Sequence, residues 1–180
     1  LRIGAVPEVI GNLPPHQRAQ IAQFAAQGLG TMMGMKGTAK DLTSLAILSK
    51  SIEVLAQLTT KDVGLLELIE ILAEQDDALV GELGHLDPKL FKKIVEGLET
   101  LRLNHGALLN STDEPLRAEV LLGKDGTVPA GKTPVTIIST KFLGDAERVD
   151  FWVSQLLVEM SRYCSRSPAA TLQSVLFLDE

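Results

Sequence analysis

The sequence predicts an α/β chain with a large helical segment, in which an antiparallel helical cluster is followed by a strand-helix-strand parallel unit. Three observations lead there. Apolar residues recur at steps of three and four through most of residues 15–105, the period of helices that bury one face. Pro134-Val135-Thr136-Ile137-Ile138-Ser139-Thr140 is β-branched and uncharged, the composition of a strand covered on both sides. Ser174-Val175-Leu176-Phe177-Leu178 then follows a long amphipathic helix, and strand, helix, strand in that order is a right-handed crossover between parallel strands.

Residues 1–14 read as an extended entry or short strand, with Arg2-Ile3-Gly4-Ala5-Val6 of strand composition and Pro7, Gly11 and Pro14 as punctuation. A first helix starts near Pro15. Its apolar side is Ile21, Phe24, Ala25, Leu29, Met32 and Met33, while Ala22, Ala26, Gly28 and Gly30 keep it slim enough for close packing. Met32, Met33 and Met35 are expected in the core, with an adaptable binding surface as the other use of such a cluster. Thr38 with Asp41 is a capping pair for a second helix carrying Leu42, Leu45, Leu48, Ile52, Leu55 and Leu58. Thr59 with Asp62 repeats that signal ahead of Leu65, Leu66, Ile69 and Leu72, and a short piece through Leu79, Val80 and Leu83 follows.

Asp87-Pro88 is the sharpest boundary, an N-cap acid before a proline at the first helical position, and it leads into Leu90, Phe91, Ile94, Val95, Leu98 and Leu101. Residues 15–105 are therefore expected to form a helical subdomain. Residues 106–133 are a loop-rich connection of Gly, Asn, Ser, Asp and Pro, and residues 134–180 the strand-helix-strand piece. Asp145 caps the helix of that piece, whose apolar face is Val149, Trp152, Val153, Leu156, Leu157, Met160 and Tyr163. No fixed repeat period recurs.

Composition removes several function classes. The single cysteine, Cys164, excludes an internal disulfide and is expected as a packed thiol in a reducing compartment. A net charge of −6, aromatics at 4% and the absence of a Lys/Arg cluster exclude the electrostatic footprint of an autonomous nucleic-acid binder, so any DNA contact is expected through other regions. Charged or amide residues interrupt every apolar run, so no membrane span is expected, and the chain reads as cytoplasmic.

Chemistry concentrates at the carboxyl end. An apolar strand that delivers Asp179 and Glu180 to its carboxyl edge can hold Mg²⁺ through water with one acid and orient an attacking water with the other; the plain alternative is a solvated terminus. Gly126-Thr127-Val128-Pro129-Ala130-Gly131-Lys132-Thr133 fits the string of a phosphate-binding loop, in which Gly131, Lys132 and Thr133 would cradle phosphate, neutralise it and join Mg²⁺. That loop works by opening a helix. Here Pro134 turns Thr133 away from helical dihedrals, a strand-like run follows, and Pro129 lacks an N–H, so an exposed turn is the favoured reading.

The remaining polar residues carry less. His16, His85 and His105 have no ligand-spaced partners, Asp76-Asp77 reads as a helix-end acidic patch, and Asp113-Glu114 before Pro115 as a helix start. Lys141 and Asp145 lie where open α/β sheets gather ligands, and Arg148, Arg162 and Arg166 are either solvated or in reach of a neighbouring subunit's nucleotide.

The stretch from Thr133 to Glu180, with Thr-Pro-Val-Thr-Ile-Ile-Ser-Thr-Lys-Phe-Leu-Gly-Asp, then Phe151-Trp152-Val153-Ser154-Gln155-Leu156-Leu157, then Leu172-Gln173-Ser174-Val175-Leu176-Phe177-Leu178-Asp179-Glu180, resembles the HerA/FtsK-type branch of P-loop ATPases. The resemblance implies that residues 134–180 are a piece of a P-loop ATPase core, with Asp179 as the metal-holding Walker B acid and Glu180 as the catalytic glutamate. It also implies that the chain is a middle piece of an ATP-hydrolysing, DNA-translocase or helicase-like motor, with the helical region an insertion between two nucleotide motifs. The intact protein would use ATP and Mg²⁺ and form a hexameric ring. Without the upstream phosphate loop this chain alone is expected to be inactive and to bind no nucleotide tightly. Two alternatives stay open: a non-enzymatic helical interaction module, and a small complete nucleotide-binding protein using residues 126–133.

Overall fold

A computed structural model of the chain describes residues 13–58, 64–109, 116–126, 128–129, 131–141, 143–172 and 174–178. Its contacts divide into two compact units, Leu1–Pro115 and Leu116–Glu180. Among the described residues the secondary structure is helical throughout, with no β-strand.

In the N-terminal unit α1 (Pro15–Met32) starts at a proline, whose missing N–H costs nothing in a first turn. The link to α2 (Ala39–Leu58) is too short to let the second helix run the same way, so α2 returns along α1. Close approach is possible because Gly30 has no side chain: a Cβ there would collide with Leu45 of α2 and touch the Met35 sulfur at 3.2 Å. The predicted capping pair is formed. The Asp41 carboxylate accepts the Thr38 N–H and the Lys36 N–H, both at 3.1 Å, and the Asp41 N–H donates to the Thr38 hydroxyl at 3.3 Å. The expected Thr59 and Asp62 start signal lies outside the described residues. α3 (Leu65–Glu74) is held instead by Glu67, whose carboxylate accepts the Gly64 N–H at 2.7 Å.

Asp76 accepts the Ala78 N–H at 2.9 Å and opens α4 (Asp77–Leu83), so this acidic pair begins a helix rather than decorating the end of one. Asp87 does the same for α5 (Pro88–Leu109) through the Lys89 N–H at 3.0 Å. The core between these helices is fully buried Leu29, Ile47, Leu48, Leu65, Leu68 and Leu72 with Leu79, Ile94 and Leu98. α2 is the central element, packing on α1, α3, α4 and α5, while α3 also lies on α5.

In the C-terminal unit the one-turn α6 (Ala118–Leu121) packs on α7 (Ala146–Arg166). Asp145 caps α7 as expected, accepting the Arg148 N–H at 2.8 Å. The predicted strand-helix-strand parallel unit, and with it the α/β fold class, is corrected by this structure. Of that unit the helix is present, but residues 134–140 and 174–178 form neither helix nor strand, and no backbone hydrogen bond joins them among the described residues. The physical reason is that β-branched composition favours an extended backbone but supplies no partner, and a strand exists only when another segment completes its ladder. The expected sheet-facing stripe of α7 is accordingly only partly covered: Leu156 is buried, Trp152 and Met160 are intermediate, and Leu157 is exposed. Cys164, expected as a packed thiol, is exposed near the end of the same helix. The entry expected at residues 1–14 falls, apart from Leu13 and Pro14, outside the described residues. Among the described helices none is long and apolar enough to cross a membrane.

Candidate functional site

A cavity of about 710 Å³ in the C-terminal unit collects the chemically interesting part of the chain. Its polar contributors include Lys124, Lys132, Thr133, Thr136 and Ser174, and its apolar walls include Leu156 and Met160 of α7, Val135 and Ile138, and Val175 to Phe177. The two runs predicted as neighbouring strands thus lie around one cavity against α7, although they are not hydrogen-bonded to each other.

Local chemistry explains how they are held there. Gly123 adopts φ +60°, a left-handed conformation that glycine takes without strain, and a Cβ there would press on Val128 and Pro134. The Thr136 hydroxyl donates to the Leu121 carbonyl at 2.6 Å, tying the extended run to α6. Glu159 is almost entirely buried on α7 and accepts the Ala118 N–H, one of the donors that a helix start leaves without an internal partner, at 3.4 Å.

Of the residues singled out in the sequence, Asp179 and Glu180 lie outside the described residues. Gly131, Lys132 and Thr133 are described and exposed. They do not open a helix: Gly131 has φ +79°, the Lys132 N–H donates to the Pro129 carbonyl at 3.2 Å, and the chain runs on to residue 140 without helix or strand. A phosphate bound there would meet the lysine ammonium and the threonine hydroxyl without the row of N–H groups at a helix start that makes such loops bind strongly. No group of three or more His, Cys, Asp or Glu side chains with metal-binding geometry is found among the described residues.

The three arginines weighed as nucleotide-reaching groups have partners within the chain. Arg148 pairs with Asp145 at 3.0 Å and donates to the Leu143 carbonyl at 3.3 Å. Arg162 lies against Glu159 at 3.9 Å, and Arg166 lies 3.8 Å from both Glu119 and Glu159. Burial lowers the Arg162 guanidinium from its ordinary pKa and the Glu159 carboxylate opposes that shift, so the pair is a mutually dependent buried unit. Sequence reasoning overlooked Glu159. Its signal was present in the helical spacing of Glu159, Arg162 and Arg166, which places all three on one side of α7. Lys141, exposed past the first extended run, donates its N–H to the Ser139 hydroxyl at 3.4 Å.

A second cavity, of about 350 Å³, lies in the N-terminal unit between α1 and α5, lined by residues that include Met32, Met33, Gly97 and His105. His105 breaks the helical dihedrals of α5 with φ −126° and ψ 22°, just before Gly106, and its Nδ1 is shielded with no hydrogen-bond partner. Met33 rests on Gly97, where a Cβ would come within 2.8 Å of its sulfur, so this methionine fills a groove between helices as well as lining the cavity.

Compared with known proteins, the chain matches no family model, no curated protein and no solved structure.

Proposed function

We propose that this chain is part of an ATP-hydrolysing motor of the HerA/FtsK type, in which Asp179 holds Mg²⁺ through water and Glu180 orients the attacking water. The observation that carries the reading is the arrangement around the larger cavity, where the run leading into the acidic pair lies beside residues 134–138 and against α7. The resemblance of residues 133–180 places these two runs and α7 side by side, and that adjacency supports the reading although the runs are not strands here. The helical N-terminal unit is then an insertion between nucleotide motifs, and the working form is a ring of copies. DNA contacts, if the motor moves DNA, come from other regions of the protein, since this chain carries a net charge of −6.

The chain alone is proposed to be catalytically silent, because Lys132 and Thr133 stand in a turn and offer phosphate no helix start. The test is ATP turnover by the full natural gene product that contains this chain. Glu180→Gln is expected to lower turnover by about 10²-fold or more while nucleotide still binds. Unchanged turnover in both Glu180→Gln and Asp179→Asn would refute the reading and favour a non-enzymatic helical module.

A second reading has one observation behind it, the placing of Lys132 and Thr133 on the wall of the same cavity. In it the chain binds a nucleotide by itself through residues 126–133. Calorimetry with ATP and Mg²⁺ separates the two: binding by the chain alone that Lys132→Ala abolishes supports this second reading and removes the first one's account of the loop.

A further inference from the structure

The larger cavity has a cationic end and an apolar body. Its two lysines, Lys124 and Lys132, are brought to the same end by the close approach of Gly123 to Pro134: a Cβ on Gly123 would stand 2.9 Å from the Pro134 Cβ. Lys124 directly follows that glycine, and Lys132 and Thr133 directly precede that proline. No Asp or Glu is among the described residues that line the cavity. Among the described residues neither lysine ammonium makes an ion pair, whereas Arg148, Arg162 and Arg166 of α7 are all held by carboxylates. The body of the cavity is Leu156 and Met160 of α7 with Val175 to Phe177.

Charge and polarity together decide what fits. Two unpaired cations with no acid beside them make this end locally positive on a chain whose net charge is −6, and a lysine ammonium offers an anion charge-assisted hydrogen bonds. A free hydrophilic anion would use that end and leave the apolar walls in water. A neutral hydrocarbon would cover the walls and leave both ammonium groups without a partner. A molecule with an anionic head and an aliphatic body satisfies both ends. The Thr136 hydroxyl hydrogen is already committed to the Leu121 carbonyl, so that residue holds the wall in place and offers no donor to the ligand. A volume of about 710 Å³ lies in the range of small-molecule sites, roughly 300–1,000 Å³.

We propose that this cavity binds a small single-chain amphiphile with an anionic head, the head held by Lys124 and Lys132 and the aliphatic body laid along Leu156, Met160 and Leu176. The inference does not rest on the motor reading. It differs from the second nucleotide reading in giving Lys132 an anion that carries a hydrocarbon chain, with Lys124 as its second cation.

Calorimetric titration of the full chain with decanoate, octanoate, decanol and inorganic phosphate, each below any micelle-forming concentration, tests it. One decanoate per chain is expected to bind. It should bind at least about fourfold more tightly than octanoate, the effect of methylenes taken out of water, and at least about tenfold more tightly than decanol, which lacks the charge. Phosphate alone should not saturate the chain over the same range. Lys124→Gln combined with Lys132→Gln should weaken decanoate about tenfold and leave decanol unchanged. Both lysines are exposed, so far-UV circular dichroism should not change. Lys89→Gln, at an exposed lysine of the N-terminal unit, should bind decanoate like the wild type. No saturable binding of decanoate overturns the proposal, as does equal affinity for decanoate and decanol. Phosphate bound as tightly as decanoate overturns it in favour of a free-anion site. A loss in Lys89→Gln equal to that in the double variant overturns it as well.

Discussion

Glu159 of α7 accepts the backbone N–H of Ala118, the first residue of α6, at 3.4 Å across 41 positions of sequence. The same carboxylate faces Arg162 and Arg166, so one buried acid satisfies a helix start and balances two guanidinium groups. Because Glu159 and Arg162 are largely buried, the parts of this cluster are unequal in what their loss costs: a buried charge left without its partner is more damaging than the absence of both.

Replacing Glu159 by Ala is therefore expected to destabilise the C-terminal unit by about 2–4 kcal/mol, since it leaves the largely buried Arg162 without its carboxylate partner. The double change Glu159→Leu with Arg162→Leu should cost less than Glu159→Ala alone. Urea unfolding followed by Trp152, the only tryptophan and a residue of α7, reads both. Equal or greater loss in the double variant would mean that the ion pair itself, rather than burial of an unpartnered charge, sets the stability.

The core of the N-terminal unit allows a comparison within a single helix. Leu98 of α5 is fully buried and Leu103 of the same helix is 75% exposed. Leu98→Ala should cost about 2–5 kcal/mol through lost contacts and the cavity left behind. Leu103→Ala should stay within about 0.5 kcal/mol. Thermal unfolding by far-UV circular dichroism measures the two, and similar midpoints would show that α5 is not packed as described.

Two glycines should respond to the same substitution with opposite signs. Gly81 lies inside α4 with open space where a Cβ would sit, so Gly81→Ala should stabilise by about 0.5–1 kcal/mol. Gly30→Ala gains the same helical preference but drives a methyl group into Leu45, and overpacking of about 1–3 kcal/mol outweighs it. Denaturant midpoints of the two variants should move apart, and a stabilised Gly30→Ala would place α1 farther from α2 than the structure has it.

The start of α2 carries a pH dependence. The Thr38 hydroxyl bond, together with the N–H groups of Lys36 and Thr38, holds Asp41 below the usual carboxylate value. A depressed native pKa means that this carboxylate stabilises the fold above its unfolded value, near about 3.9, and that the contribution disappears as pH falls through the lower native value. Asp41→Asn should lower the unfolding midpoint at neutral pH and differ less from the wild type in strong acid. Parallel midpoints at every pH would remove the capping account.

The starts of α2, α5 and α7 were legible in Thr38 with Asp41, in Asp87-Pro88 and in Asp145, whereas Asp76, read as part of a helix-end acidic patch, opens α4. Of the apolar stripes expected in the N-terminal unit, Phe24, Leu42, Leu58, Leu66 and Val80 of the other helices are exposed, whereas that of α5 was legible, with Phe91, Ile94, Leu98 and Leu101 buried. These features depend on residues within a turn or two of one another, so the sequence by itself carries all the partners needed. The proposed site was legible only as chemistry, in an acidic pair beyond an apolar run and a lysine beside a threonine.

Only the tertiary structure decided the rest. It decided that residues 134–138 and 174–177 lie around one cavity without pairing, and that Glu159 serves a backbone N–H far away in sequence. Each of these outcomes depends on a partner distant along the chain. A β-branched run states a preference for extension and a buried acid a need for a donor, but neither preference names the segment that will meet it.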